Sequence, residues 1–535
     1  EAHERSLNTD VLFGILRKII AQRRDLRLVV TSATLDAAKF ANFFGSCPVL
    51  HIPGRTFPVD SFFARVMPDD YVEAAVRQVL QVHVQAPIPG DILVFMSGQE
   101  DIETTCEVIA ERMQMLDSPP PMLILPMYSQ LPADLQAAIF DPAPEGTRKV
   151  VVATNIAETS LTVDGVRYVI DSGFCKLKTF NASVGMDMLL LCPVSQSSAR
   201  QRAGRAGRTA PGKCYRLYTE HAYEEELLPS SVPEIQRTHL AHVVLLLHSI
   251  GISDVLSFPF MDPPPRRNLV HALYALWVLG ALDETANLTA TGRLMAAFPL
   301  DPPLAALLLA GAKLGCCSEV VTIVAMLSVP SVFVRPRGSE TESDSVREKF
   351  LVPESDHLTL LHVFQRWRAA GSRGTEWCAA HFVSSKSLLR ASEVRAQLID
   401  VLRNQELDID SSCGTDWDVV RRAICSAFFP HAAQMRGLGD YIDLRSGVPC
   451  TPHPTSALIG LGYTPDYVVY HELISTQHNK QYMSVVTAVD PLWLAEFGAI
   501  FFSVRAAAPS ATRLDQFIAS QKQRINPDQN TSMNR

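Results

Sequence analysis

The apolar and polar positions of this chain change rhythm along its length. From Asp60 to about Thr219, helical and extended patterns alternate. Apolar residues recur at helical spacing over Tyr71–Gln85 and Gln99–Leu116, which predicts two amphipathic helices. Around them lie short, largely apolar runs at Ile92–Met96, Met122–Pro126, Val150–Ala153, Val166–Ile170 and Cys214–Tyr218. Runs this short predict strands. Repeated βα units predict a parallel, doubly wound sheet with its ligand edge at the carboxyl ends of the strands. Leu28–Val30 follows a charged helical stretch and leads into Thr31-Ser32-Ala33-Thr34, so it reads as one more such strand ending in hydroxyl residues. Ile52–Val59 carries two prolines and a glycine and reads as a linker.

Between Asp171 and Pro193 the alternation is interrupted. Phe174–Phe180 and Met186–Cys192 can pair as an antiparallel ribbon across Asn181–Gly185, which predicts a protruding hairpin. After about residue 220 the helical period takes over. His239–Ile250 and Leu269–Leu279, followed by Asn287–Gly292, have the helix, helix, ribbon order of a winged-helix module. Leu304–Leu327 opens a helical region that reaches about Gln405, broken by the Ser- and acid-rich Gly338–Glu348, which reads as an exposed loop. From Cys413 on, aromatic and β-branched runs return at Tyr441–Leu444, Tyr467–Tyr470 and Met483–Thr487, predicting a small barrel of the oligonucleotide-binding type. From about Ala506 the chain is polar and reads as a frayed tail.

Composition narrows this picture. At 535 residues the chain exceeds what one core can organise, and roughly three to five domains are expected. Hydrophobic residues at 47% and charged residues at 19% describe a folded rather than a disordered chain. The formal charge of -8 gives no general attraction for nucleic acid, so any such site must be a local basic channel. Eleven cysteines, an odd number with no C-x-x-C pair, fit free thiols in a reducing compartment better than a disulfide framework or a zinc site. The longest apolar stretch, Leu304–Leu314, is broken by Lys313 and reads as a buried helix, so no membrane partner is expected. No signal peptide is visible, and a start at Glu1 rather than methionine leads to the expectation that the sequence begins inside a larger protein.

The most chemically specific phrase is Gln201-Arg202-Ala203-Gly204-Arg205-Ala206-Gly207-Arg208. In a helix, Gln201, Arg205 and Arg208 fall at i, i+4 and i+7, aiming an amide and two guanidinium groups along one face suited to an anion. The small residues between them let the backbone lie close to a neighbour, although each glycine costs a helix about 1 kcal/mol. The plain alternative is a solvated basic helix whose surface salt bridges are worth under about 1 kcal/mol each. Two further polar phrases, Ser97-Gly98-Gln99-Glu100 and Thr154–Ser160, sit at predicted strand ends.

Taken together, these phrases resemble a DEAH-box ATPase of helicase superfamily 2. Glu1-Ala2-His3 matches the last three letters of the family's name motif, while Ser32-Ala33-Thr34, Thr154–Thr159 and Gln201–Arg208 match later motifs in order and spacing. The resemblance covers residues 1 to 505. It implies an α/β fold with a RecA-like parallel sheet, plus accessory α and β domains: a winged helix, a helical-bundle ratchet and an OB-fold. The implied divisions are the end of a first RecA-like lobe at 1–58, a second lobe at 59–220 with its hairpin at about 171–193, a winged helix at 221–295, a ratchet at 296–410, an OB-fold at 411–505 and a tail at 506–535. Val352–Leu358, Ser412–Asp418 and Gly462–Tyr467 resemble the pre-mRNA-splicing branch of the family that remodels the spliceosome between its two chemical steps.

The resemblance implies ATP and Mg2+ as cofactors, and single-stranded RNA (pre-mRNA or small nuclear RNA) and spliceosomal proteins as partners. It implies a nuclear protein that is monomeric within a larger assembly. Glu1 would polarise the attacking water, Gln201 would help to hold it, and Arg205 and Arg208 would act as arginine fingers in cis. His3 would couple the lobes, with Ser32 and Thr34 in the same relay; Phe140 would stack on adenine and Asp164 would take the ribose hydroxyls. By its residue type alone Phe140 fits an ordinary core position equally well. Gly98, Gln99, Thr154, Asn155 and Thr159 would contact RNA phosphates and riboses, as would His453 and Thr455 in the barrel loop His453-Pro454-Thr455-Ser456, which otherwise reads as a plain proline turn. The hairpin would wedge or guide the strand.

The sequence departs from the family in one respect: no G-x-x-x-x-G-K-[ST] occurs, and the metal-binding aspartate expected before Glu1 is not present. No metal ligand is therefore expected within this chain, and the chain alone is expected not to hydrolyse ATP although its longer parent does. A non-catalytic RNA-binding scaffold fragment and a DNA helicase of the same superfamily remain as alternatives.

Overall fold

In a computed structural model, residues 2–32, 37–52, 54, 57–129, 131, 133–158, 163–336, 338–371, 374–437, 439–460, 464–475 and 480–503 are described. In chain order the strands are β1 (Val59–Phe63), β2 (Asp91–Phe95), β3 (Met122–Met127), β4 (Arg148–Ala153), β5 (Val166–Asp171), β6 (Phe174–Asn181) and β7 (Met186–Pro193). They continue as β8 (Gly212–Arg216), β9 (Ala432–Met435), β10 (Tyr441–Asp443), β11 (Pro449–Pro452), β12 (Tyr467–Ser475) and β13 (Gln481–Ala488).

The expected parallel sheet has the order β1-β8-β5-β2-β4-β3, with every neighbour parallel. The central strands β2, β4 and β5 are buried on both faces, because successive side chains point to opposite sides and both sides are covered. Ile92, Val94, Val150 and Val152 meet the helices Tyr71–Gln85 and Gln99–Gln114 through Val76, Val79, Ile102 and Ile109. Leu93, Phe95, Val151 and Val169 meet Ala203 and Ala206 on the other face.

Strands β9 to β13 form a barrel, closed by the pairing of β12 with β13 and of β11 with β13. The hairpin β6–β7 forms from the expected two runs, pairing Phe174 with Pro193 through Asn181 with Met186. It does not protrude freely. Strand β7 pairs in parallel with β12 at Asp187 opposite Ile474 and Met188 opposite Ser475, which makes hairpin and barrel one sheet. Helices Ala241–Ser249, Arg266–Val278, Pro302–Leu314, Cys317–Leu327, Ser385–Asn404 and Trp417–Phe428 share a single apolar core, which Ala432 and Val469 of the barrel join. The wing is reduced to one bridge, Leu282 with Leu288, before Thr289 caps the next short helix.

Three expectations are corrected. Leu28–Val30 is not a strand: no ladder partner lies beside it among the described residues, and Val29 is 84% exposed. Gly338–Glu348 is mostly the helix Glu340–Glu348, pinned by buried Ser343, by Val346 against the Phe350 cluster and by Arg335–Asp344 at 2.7 Å. The segment after Cys413 begins with the helix Trp417–Phe428 rather than with strands. All eleven cysteines are free thiols. Among the described residues no helix is long and apolar enough to cross a membrane, and no cluster of three or more His, Cys, Asp or Glu could hold a metal ion.

Candidate functional site

The Gln-Arg phrase lies on the helix Gln196–Gly204, capped by Ser195 through the Ser198 amide. The expected face running from Gln201 to Arg208 is not a helix face. The α-helix stops at Gly204, and the next residues close i to i−3 bonds, Arg205 N to Arg202 O (3.1 Å), Ala206 N to Ala203 O (3.0 Å) and Gly207 N to Gly204 O (3.3 Å). The chain therefore tightens into a 3₁₀-like turn that carries Arg205 and Arg208 beyond the helix. The two inner glycines also differ. A Cβ at Gly207 would lie 2.6 Å from the Phe57 carbonyl oxygen, whereas one at Gly204 would meet nothing within 4 Å. Close approach is thus the business of Gly207 alone.

The residue between the predicted ones anchors the phrase. Arg202 is fully buried; its Nε donates to Glu158 Oε1 and its Nη1 to Asp171 Oδ1, each at 2.7 Å. Its Nη2 donates to the Phe174 carbonyl at 3.3 Å, and its guanidinium stands 4.9 Å from the centre of the Phe95 ring. Asp171 Oδ2 also accepts from the Tyr218 hydroxyl at 2.9 Å. Burial works against the Arg202 charge, yet the two carboxylates hold the guanidinium above its ordinary pKa. One side chain thus ties the Thr154–Glu158 phrase, the end of β5, the root of the hairpin and the Gln-Arg helix into one rigid block. The sequence contained the signal: Arg202, one position after Gln201, is turned by a helix toward the sheet.

Gln201 faces a cleft of about 570 Å³ that it lines together with His3, Asn155 and Ser198. The first segment reaches this cleft because it is tethered elsewhere. Arg5 donates to Asp10 at 2.7 and 3.0 Å and pairs with Asp262 at 2.7 Å, and the Leu7 amide donates to Glu234 at 2.8 Å. Ala2 N donates to Thr31 O at 3.0 Å, which draws His3 and the exposed Ser32 into neighbouring segments. Glu1, Thr34 and Thr159 lie outside the described residues.

The remaining predicted residues do not line that cleft, and Arg205 and Arg208 are among those outside it. Gly98 caps the helix Gln99–Gln114 in extended conformation, and a Cβ there would meet Lys176 Nζ of the hairpin at 3.0 Å. Gln99 is exposed, and Thr154 opens a short 3₁₀ turn at the end of β4. Phe140 is 51% exposed, so the ordinary core reading is excluded. Asp164 stands exposed in the turn before β5. His453 and Thr455 lie apart, on the barrel, with His453 Nδ1 2.7 Å from Thr455 Oγ1.

A parallel sheet with polar motifs on its ligand edge, a winged helix, a helical bundle and a closed barrel together define the accessory-domain architecture of a DEAH-box helicase, and the chain belongs to that family. Residues 74–210 match the helicase conserved C-terminal domain, 272–300 and 301–360 the winged-helix and ratchet-like parts of the helicase associated domain, and 420–500 the oligonucleotide/oligosaccharide-binding fold. The chain is 48% identical over 504 residues to the pre-mRNA-splicing factor ATP-dependent RNA helicase prp22 of Schizosaccharomyces pombe, an alignment that takes in 94% of this chain and 43% of that relative. The chain thus spans less than half the length of the relative it matches.

Proposed function

We propose that this chain supplies the second RecA-like lobe and the accessory domains of an ATP-dependent RNA helicase that remodels RNA–protein complexes, the spliceosome during pre-mRNA splicing in the nucleus. The observation that carries this reading is Gln201 facing His3 and Asn155 across one cleft while Arg202 fixes its helix from behind. The domain limits inferred from the motifs accompany the proposal, as does action between the two chemical steps of splicing.

The residues fit a nucleotide. Phe140 offers an exposed ring for a base, Asp164 an exposed carboxylate for ribose hydroxyls, and the open face of Gly204 leaves room beside Arg205 and Arg208. ATP with Mg2+, when bound, would supply the phosphoanhydride bond and the charge that polarises it. Gln201 orients a water and excludes others. Arg205 and Arg208 place guanidinium forks where negative charge develops on phosphate oxygens. His3, beside the Ser32 segment, couples the first segment to the Gln-Arg helix. No Mg2+ ligand is assigned within this chain. Gly98, Gln99, Thr154 and Asn155 at the sheet edge, with His453 and Thr455 on the barrel, present amides and hydroxyls to an RNA backbone, which gives grip without base reading.

Titrating ATP turnover of the full-length protein with poly-RNA and with poly-DNA tests the substrate class: RNA is expected to stimulate and DNA not, and equal stimulation would favour a DNA helicase. One observation favours a second reading, a non-catalytic RNA-binding scaffold: the sequence contains no G-x-x-x-x-G-K-[ST]. The 535-residue chain is expected to bind RNA without hydrolysing ATP. The same inactivity in the full-length protein would establish the scaffold reading.

A further inference from the structure

The phrase Val352–Leu358 stands out in the sequence, and the proposed chemistry gives it no role. In the structure it opens the ratchet helix Asp356–Ala369, with Ser355 as its cap, and it lies against the barrel. Ser355 Oγ is 2.6 Å and His357 Nδ1 2.8 Å from Thr487 Oγ1, while the Ala488 amide donates to the Glu354 carbonyl at 2.8 Å. These contacts hold strand β13 to the helix.

Asp356, between them, reaches elsewhere. Its Oδ2 accepts from Ser456 Oγ at 2.7 Å and from the Val486 amide at 2.8 Å, and its Oδ1 accepts from the Ala457 amide at 2.7 Å. Three donors converge on one carboxylate, an arrangement stronger than neutral pairs and one that an amide cannot reproduce, because its NH2 would face a donor. Arg347 adds a second hold: its Nη2 donates to the Thr455 carbonyl at 2.7 Å, and its guanidinium lies 4.3 Å from the centre of the Phe333 ring. The loop is consequently split into an anchored half and a presented half. Ser456 and Ala457 are buried at the anchor, while Pro454 and Thr455 are exposed and His453 is kept in place by Thr455.

We propose that Asp356 is a positioning residue for RNA binding: the first residue of the ratchet helix sets the pose in which the barrel loop presents His453 and Thr455, with Arg347 as the second tether. This rests on the reading of that loop as an RNA contact. It makes the ratchet bundle a controller of RNA grip, since any shift of the helix start is transmitted to the loop through the bonds of its carboxylate to Ser456 and Ala457.

The test uses the full-length protein and four variants: the pair His453→Ala with Thr455→Ala, Asp356→Asn, Ser456→Ala, and Asp356→Asn added to the loop pair. RNA affinity is read by fluorescence anisotropy of a labelled poly-uridine strand without nucleotide, and ATP turnover is titrated with the same RNA. The loop pair, Asp356→Asn and Ser456→Ala are each expected to weaken RNA binding by about tenfold, as for one lost charge-assisted hydrogen bond. They should raise the RNA needed for half-maximal turnover in parallel while maximal turnover changes by less than about twofold, and the combined variant should bind no more weakly than the loop pair. If the loop pair weakens binding while Asp356→Asn and Ser456→Ala do not, the clamp is wrong and the loop reading stands. If the losses multiply in the combined variant, Asp356 acts elsewhere and the clamp is again wrong. If the loop pair has no effect, the loop reading falls and the clamp with it. Should Asp356→Asn fail to fold, Ser456→Ala, which removes one hydroxyl, decides alone.

Discussion

The Arg202 Nε donates to Glu158 Oε1 at 2.7 Å in a position where Arg202 is wholly buried. This pair, with Asp171 as second acceptor at 2.7 Å, is what keeps the Gln-Arg helix in register with the sheet edge. Removing one partner of a buried ion pair leaves an uncompensated charge, which costs about 3–5 kcal/mol. Arg202→Met is therefore expected to lower the stability of the second lobe by that amount in chemical denaturation. Combining it with Glu158→Gln should cost less than the sum of the two single changes.

The two glycines of the same phrase should behave differently. Gly207→Ala drives a methyl to 2.6 Å from the Phe57 carbonyl and 2.7 Å from Val59 Cγ2. Backbone must shift to accept it, at a cost of roughly 1–3 kcal/mol. Gly204→Ala meets open space at the helix end, and its effect on stability should lie between neutral and a gain of up to about 1 kcal/mol. Denaturation midpoints of the two variants check this directly.

Phe140 provides a separable test of nucleotide contact. Because its ring is 51% exposed, Phe140→Ala should leave the unfolding midpoint nearly unchanged. Loss of a stacked base is worth about 1–3 kcal/mol, so the dissociation constant of a fluorescent adenine nucleotide on the full-length protein should rise by about tenfold or more. Phe140→Tyr should restore affinity.

Stability should depend on acid through buried histidines. Burial, with help from His239 and Arg445, lowers the pKa of His271 to about 4; burial, with Arg445, lowers that of His431 to about 4; and burial, with His471, lowers that of His357 to about 3. His271 and His431 line a cavity of about 270 Å³ where the hairpin meets the winged helix and the barrel. All three are held neutral in the fold, whereas the unfolded chain takes up protons near pH 6.5. Their contribution is therefore fully present above about pH 6.5 and is lost as pH falls toward the folded-state values. The thermal midpoint should be flat near pH 7 and should drop between about pH 6.5 and 4, and His357→Gln should flatten that drop.

How much of this was legible in the sequence depended on how local each signal was. Strands such as Ile92–Phe95 and Val150–Ala153 announced themselves because a short aliphatic run without a polar face has few other places to go. The hairpin itself was legible from two runs around Asn181–Gly185, but its pairing with Ser475, almost three hundred residues on, was not. Leu28–Val30 has a strand's composition, yet composition alone cannot supply a ladder partner. The helix Glu340–Glu348 was hidden because its buried stripe is little more than Ser343 and Val346. In the Gln-Arg phrase the residue types and the inward turn of Arg202 were legible, whereas the end of the helix at Gly204 and the two carboxylates that Arg202 meets, Glu158 and Asp171, come from packing across the chain. The hold of Asp356 on Ser456 crosses 100 residues of chain and leaves no local trace.

The central claim, that the turn after Gly204 presents arginines to a phosphate, is tested most directly by RNA-stimulated ATP turnover of the full-length protein carrying Arg205→Ala or Arg208→Ala. Loss of an arginine finger should lower turnover by about 10³ or more, with RNA affinity in the absence of nucleotide little changed. A collapse of RNA binding with turnover per bound complex preserved would contradict the account and make these arginines RNA ligands.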